Sequence, residues 1–323
     1  MLAKRRSLLL DGNEVARTPL LVPSFSSKGF PDVAKIIKTT EEVIEGEMLI
    51  SAYDLHYDNI KPPFDYASLI FVDSGGYEAS KDTELSDLGE RDHTPKEWNQ
   101  EIYEAVLATW RPRVPTVVIS YDHPKERQSV QDQIERAKRM APSRSGVLRE
   151  ILLKPETKDQ TLLNVGSVLS HIHALAEFDA IGVTEKEIGN SILSRMENIA
   201  KLRIALNGVG LETPIHLFGS LDTITTPMYF VAGADIFDGL TWLRFAFKDG
   251  YTMYKHNFGA LALGVGTKAH MVDARCWFNN YYYMKEMQLQ MRRFLNDHDF
   301  ACFKHHGDLI KEAYQSVAEA MEV

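Results

Sequence analysis

Two aspartates stand where apolar, β-type runs of the chain stop: Asp73 closes the run 69–73, and Asp238 closes the run 234–238. Asp73 leads directly into Ser74-Gly75-Gly76-Tyr77-Glu78, and Asp238 into Gly239-Leu240-Thr241-Trp242-Leu243-Arg244. In a barrel of alternating strands and helices, the C-terminal strand ends are where catalytic side chains converge. Two carboxylates delivered there from distant segments can act as nucleophile and as proton-transfer group. Taken alone, Asp238 would more simply cap a turn or pair with Arg244, and Ser74-Gly75-Gly76 would be a strand-to-helix turn. Both motifs together suggest an enzyme, and one acting on a glycosidic bond.

The elements that must present these groups are legible as periodicity. Apolar, β-branched runs at 20–23, 48–52, 69–73, 116–121, 150–154, 180–183, 214–218 and 234–238 read as strands. The stretches 95–110, 125–140, 159–176, 188–206 and 221–231 carry apolar residues at three- and four-residue spacing, the helical signature. Thr94-Pro95-Lys96-Glu97 has the composition of a helix start. This alternation predicts an α/β fold, a (β/α)8 TIM barrel. An open doubly wound sheet is the alternative, but no GxGxxG fingerprint follows the first strand. The polar, acidic segment 81–93 reads as a surface loop or insertion. Beyond residue 251 a Gly- and aromatic-rich stretch precedes long helices at 275–295 and 309–321. The expected organisation is one domain, 1–323, with 251–323 as a mostly helical C-terminal extension.

Composition narrows the class. The 323 residues are 44% hydrophobic and 25% charged, ordinary for a globular protein. Lys and Arg number 36 against 45 Asp and Glu, a net charge of −9, which lacks the basic footprint usual for a nucleic-acid binder. Cys276 and Cys302 are too few for a disulfide framework and read as free thiols in a reducing compartment. Leu8-Leu9-Leu10 after Lys4-Arg5-Arg6 is too short for a signal or membrane segment. The expectation is a cytoplasmic protein with no membrane partner. His171, His173, His305 and His306 read as structural or solvated. Tyr281-Tyr282-Tyr283 with Met284, Met287 and Met291 reads as helix packing or a subunit interface, so a homodimer or a partner subunit is possible. Arg111, Arg113, Arg292, Arg293 and Lys304 are candidates for phosphate contact, although surface charge is the commoner outcome.

With these motifs in view, the chain from about Thr18 to Arg293 resembles the tRNA-guanine transglycosylase superfamily. Thr18-Pro19-Leu20-Leu21-Val22-Pro23 is similar to the family's opening TPxFMP, and Ser51-Ala52-Tyr53-Asp54-Leu55 to NTYHL. Asp73-Ser74-Gly75-Gly76-Tyr77-Glu78 is close to DSGG(Y/F)Q, the most specific match. His216-Leu217-Phe218-Gly219-Ser220 with Asp222 resembles LMGVGxPxD, and Gly233-Ala234-Asp235-Ile236-Phe237-Asp238 resembles GxDMFDC. The resemblance implies base exchange in a polynucleotide, DNA or tRNA. Asp238 would attack the anomeric carbon of a flipped nucleoside and leave a covalent glycosyl-aspartate. Asp73 would manage the protons of the departing guanine and the incoming 7-deazaguanine, a base of the preQ0 type. Tyr77 would stack on the base, with core packing as its ordinary alternative. Asp122 would accept from the guanine edge, against a turn-forming role. Gly75, Gly76 and Gly219 would admit close backbone approach. Ser74, Lys154 and Arg244 complete the expected substrate-binding set.

The departures are specific. The family's structural zinc, held by CxCxxC and a later histidine, has no ligands here, and Asn279 falls near the histidine's place. The zinc subdomain is expected to be absent or reduced, and no metal or other cofactor is expected. A set built from Cys276, Cys302, His305 and His306 matches no standard spacing. The family's Gln-Gly appears as Lys154-Pro155, which puts an ammonium where an amide would read the base, and His123 follows Asp122 where the family has an acid-cysteine pair. The C-terminal RNA-binding domain of some members is also expected to be absent. These departures favour the DNA-modifying branch over tRNA enzymes. The alternative is a non-catalytic partner subunit that binds nucleic acid or a catalytic homologue; retention of both Asp73 and Asp238 argues against it.

Overall fold

Each of the eight apolar runs forms a strand in the computed structural model, which describes residues 1–80, 93–123, 126–140 and 147–321. A first hairpin, β1 (Ser7–Leu10) and β2 (Asn13–Arg17), precedes them. The eight are β3 (Leu20–Pro23), β4 (Glu47–Ser51), β5 (Leu69–Asp73), β6 (Thr116–Ile119), β7 (Val147–Leu153), β8 (Ala180–Thr184), β9 (Ile215–Phe218) and β10 (Ile236–Gly239). They make one parallel sheet in the order β3-β10-β9-β8-β7-β6-β5-β4, with helices between successive strands. The chain is therefore an α/β protein of the (β/α)8 barrel class with C-terminal helices. Strands buried on both faces need continuous apolar runs, which is why they are legible as such. The segment 81–92, expected as a surface loop or insertion, lies outside the described residues.

The chain divides into two compact units. In the unit Ser7–Ala16 with Ser24–Val183, β4 to β8 pair in parallel, and the register sets Ser51 opposite Asp73. The helix expected from Thr94 begins later, as Gln100–Thr109, where the Asn99 side chain accepts from Ile102 N at 3.0 Å. Residues 94–98 serve as an anchoring arm: Lys96 N donates to the Tyr53 hydroxyl at 2.8 Å, and the Trp98 indole donates to Ser74 O at 2.9 Å. Those tertiary bonds hold the arm out of the helix that the Thr-Pro composition suggested. The helix expected over 159–176 is split into Val165–Ser170 and a 3-10 turn, Ile172–Glu177.

In the unit Met1–Arg6, Arg17–Pro23 and Thr184–Val323, β10 pairs with both β3 and β9, setting Asp238 opposite Val22. Beneath β10, Asp235 is buried between two guanidinium groups. It accepts from Arg6 Nη1 at 2.8 Å, from Arg203 Nη2, and from Ile215 N at 2.8 Å. The helix expected over 188–206 runs as Ile192–Gly208 and opens on a capping box of Ser191 and Ser194. After β10 comes an antiparallel hairpin, β11 (Phe245–Lys248) and β12 (Tyr251–Tyr254). Helices Ala269–Asp297 and Gly307–Met321 follow, containing the two expected at 275–295 and 309–321. Buried Asn280 fastens the first of them to the hairpin, accepting from Phe247 N at 2.7 Å and donating to Phe245 O at 2.7 Å. Among the described residues, no helix is long and apolar enough to cross a membrane.

Candidate active site

The unit that carries β5 gathers most of the expected binding residues. Asp73, half-buried at the end of that strand, accepts from Gly75 N at 3.3 Å. Ser74 is buried and donates its hydroxyl to Asp122 Oδ1. Gly75 adopts φ +84°, and a Cβ there would lie 2.8 Å from Tyr53 Cβ and 2.9 Å from the Trp98 ring, so both backbone and space require glycine. A Cβ on Gly76 would stand 2.7 Å from Asp122 Oδ1. Lys154, directly after β7, brings Nζ to 3.6 Å from Asp122 Oδ2. Gln133 fixes the backbone of Lys154, donating to its carbonyl and accepting from its amide at 2.9 Å each. Thus Asp73, Ser74, Gly75, Gly76, Asp122 and Lys154 form one constellation at the ends of β5, β6 and β7.

Tyr77 lies against a cation. The Lys28 ammonium sits 4.2 Å from its ring centroid and donates to its carbonyl at 3.1 Å. One face of the ring is thus occupied by the ammonium.

The other unit carries Asp238 and its supports. The buried Asp238 carboxylate accepts from Gly219 N at 3.0 Å, and His216 Nε2 lies 3.4 Å from the same oxygen. Its carbonyl accepts from Ser220 N at 2.8 Å and Leu221 N at 3.1 Å, so the turn after β9 wraps around it. Gly219 makes that turn at φ +78°. His216 is fully buried and stacked on Phe218 with centroids 3.9 Å apart. The carboxylate is therefore held in a fixed orientation, which a nucleophile needs. Arg244 closes the short helix Thr241–Arg244 and is half-buried. Asp222, part of a resembling motif, fastens the turn before the helix Thr225–Val231: it accepts from Ile224 N at 2.9 Å and from the Thr252 hydroxyl at 2.8 Å.

Sequence reasoning missed a second layer behind Asp73. Glu78 is 2% exposed, accepts from the hydroxyls of Ser26 and Ser51, and faces Asp54 and Asp73. Burial, then the charges of Asp54 and Asp73, push its carboxyl up to about 8. Asp54 is also raised by burial, although Ser27 N donates to it at 2.8 Å and Asn59 Nδ2 at 2.9 Å. The available signal was a glutamate at 78 where the resembling motif has glutamine. In the other unit, Glu185 directly after β8 accepts from Arg195 and Tyr229 at 2.8 Å each, and burial still holds its carboxyl above the usual range. No motif in the sequence marked it.

The described residues do not bring together a ligand set for the structural zinc of the resembling family. Among the described residues, no three His, Cys, Asp or Glu side chains converge as a metal site. Cys276 lies in an apolar cluster with Ala246, Phe258 and Val272, and burial pushes its thiol up to about 11. Asn279 donates to Phe247 O at 2.9 Å, a further bond between the long helix and β11.

Fold and local geometry define an α/β barrel protein with aspartates at the C-terminal ends of β5 and β10. No protein-family model matches the sequence, and no curated protein is significantly similar to it.

Proposed function

We propose that the chain is a base-exchange transglycosylase that replaces guanine by a 7-deazaguanine of the preQ0 type in a polynucleotide, DNA ahead of tRNA. The observation that carries this reading is the group Ser74, Asp122 and Lys154 packed against the Gly75-Gly76 turn. A carboxylate and an ammonium 3.6 Å apart offer acceptor and donor side by side. That is the complement of a guanine edge, which donates from its ring N–H and amino group and accepts at O6 and N7. Lysine suits O6 and N7, and its replacement of the family's glutamine is why altered recognition, and hence DNA, is placed first.

Asp238 attacks C1′ of the flipped nucleoside as the C1′–N9 bond breaks, and the departing guanine takes its proton from Asp73. Asp73, now ionised, removes the proton from N9 of the incoming base. That base attacks C1′ and expels the Asp238 carboxylate, so two inversions give retention. No metal or cofactor enters any step. Labelled-guanine exchange into duplex DNA, single-stranded DNA and bulk tRNA tests this, with Asp238→Ala as the control. Aspartate-dependent exchange into one polymer supports the reading and names its substrate. Full exchange by Asp238→Ala, or none by folded wild type, overturns it, and the latter outcome points to a partner subunit.

A further inference from the structure

Large apolar side chains lie exposed together in one short stretch of the unit that carries Asp238. Tyr254 is 70% exposed, Leu261 72%, Val265 95% and Met271 54%. Local packing explains the direction of these side chains. Phe258 is buried with Val272, Ala246 and Cys276, and Leu263 half covers that cluster. Leu261 and Val265 belong to the same excursion but stand on its solvent side. Single exposed apolar residues are ordinary, whereas several carried on elements that pack on one another, as β12, 255–258, 259–263 and the long helix do, mark a surface that meets a partner.

Charge indicates which partner. Residues 256–272 contain no Asp or Glu, in a chain that holds 45 of them and a net charge of −9. His256, Lys268, His270 and Arg275 are exposed in and beside this stretch, while Lys255 is engaged by Asp273 at 2.6 Å. We infer that β12 and the segment 255–275 form a polynucleotide-binding surface. Tyr254 offers a ring to an unstacked base, Leu261 and Val265 enter the gap beside it, and Lys268 and Arg275 meet phosphate. The inference rests on the proposed function for its class of substrate.

Fluorescence anisotropy with labelled single-stranded and duplex DNA across a salt series tests it, with size-exclusion chromatography of the same proteins. The variants are Tyr254→Ala, Leu261→Ser with Val265→Ser, and Lys268→Glu, all at exposed positions, with circular dichroism to confirm folding. Tyr254→Ala is expected to weaken binding about tenfold. Lys268→Glu is expected to flatten the salt dependence by about one unit of slope. Elution of all variants is expected to match wild type. Unchanged binding by every variant overturns the inference, as does a wild type that binds no DNA. So does a changed elution volume with unchanged binding, which assigns the surface to a second copy. Asp238-dependent exchange is measured separately. Its absence alongside variant-sensitive binding removes the catalytic reading and leaves this surface in place.

Discussion

Gly76 and Asp122 are in contact so close that position 76 has no room for a side chain: a Cβ there would stand 2.7 Å from Oδ1 and 2.8 Å from Oδ2 of the aspartate. The backbone at 76 is not in the left-handed region, so the requirement for glycine is spatial. Gly76→Ala is expected to displace the Asp122 carboxylate and break its bond with Ser74. A shift of this size at a positioned group costs roughly 100-fold in rate. The check is kcat/KM for guanine exchange beside a thermal melt. Wild-type exchange in this variant removes Asp122 from base recognition.

Lys154 gives a test of specificity. Lys154→Met keeps the length of the side chain and removes the ammonium 3.6 Å from Asp122. Discrimination between guanine and a 7-deazaguanine in competition is expected to fall roughly tenfold, the worth of one hydrogen bond to a charged group. Lys154→Gln restores a donor and an acceptor, and is expected to recover part of it. If both variants compete as wild type does, the lysine is structural.

Glu78 links the site to pH. Its carboxyl is raised from an ordinary 4.5 to about 8, so between those values the folded state holds a proton that the unfolded state has released. Stability from this group is fully present below pH 4.5 and is lost as pH rises through about 8. The steepest loss is about 1.4 kcal/mol per pH unit. Urea unfolding from pH 5 to pH 9 reads it directly, pH values chosen to bracket the roughly one-proton step of this linkage. Glu78→Gln, which does not titrate, is expected to flatten the profile and to be the more stable protein at the alkaline end. A profile identical to wild type would mean that Glu78 is ionised throughout.

The Asp235 cluster gives a prediction about folding alone. Asp235 is 1% exposed and answers both Arg6 and Arg203, which are themselves buried. Asp235→Asn leaves two guanidinium groups under β10 without their buried counter-charge and is expected to cost about 3–5 kcal/mol. Asp235→Asn with Arg203→Met removes one stranded charge and is expected to recover part of that loss. Chemical unfolding of the single and double variants measures the coupling. Additive effects would show that the residues do not act as a unit.

The eight barrel strands were legible because a parallel strand buried on both faces writes its whole length in apolar residues. Four other strands among the described residues were not. β1 with β2 and β11 with β12 are hairpins, turned by Asp11-Gly12 and Asp249-Gly250 with positive φ at all four residues. Asp-Gly is a strong hairpin signal. It went unread because the flanking strands are only four or five residues long and lack a clean alternation of buried and exposed positions. The false helix start at Thr94 has another cause. Local composition favoured a cap there, and hydrogen bonds to Tyr53 and Ser74 in other elements overrode it.

The sequence by itself determined the barrel class and set Asp73 and Asp238 at the ends of their strands, since both follow from periodicity along the backbone. Tertiary structure alone decided that Ser74 meets Asp122 across 48 residues, that Lys28 covers a face of Tyr77, and that Glu78 is sealed between Ser26 and Ser51. Those relations depend on which distant segments come to lie together and how much water they exclude. A local pattern of apolar and polar residues carries the backbone's period but not the identity of a side chain's remote neighbours.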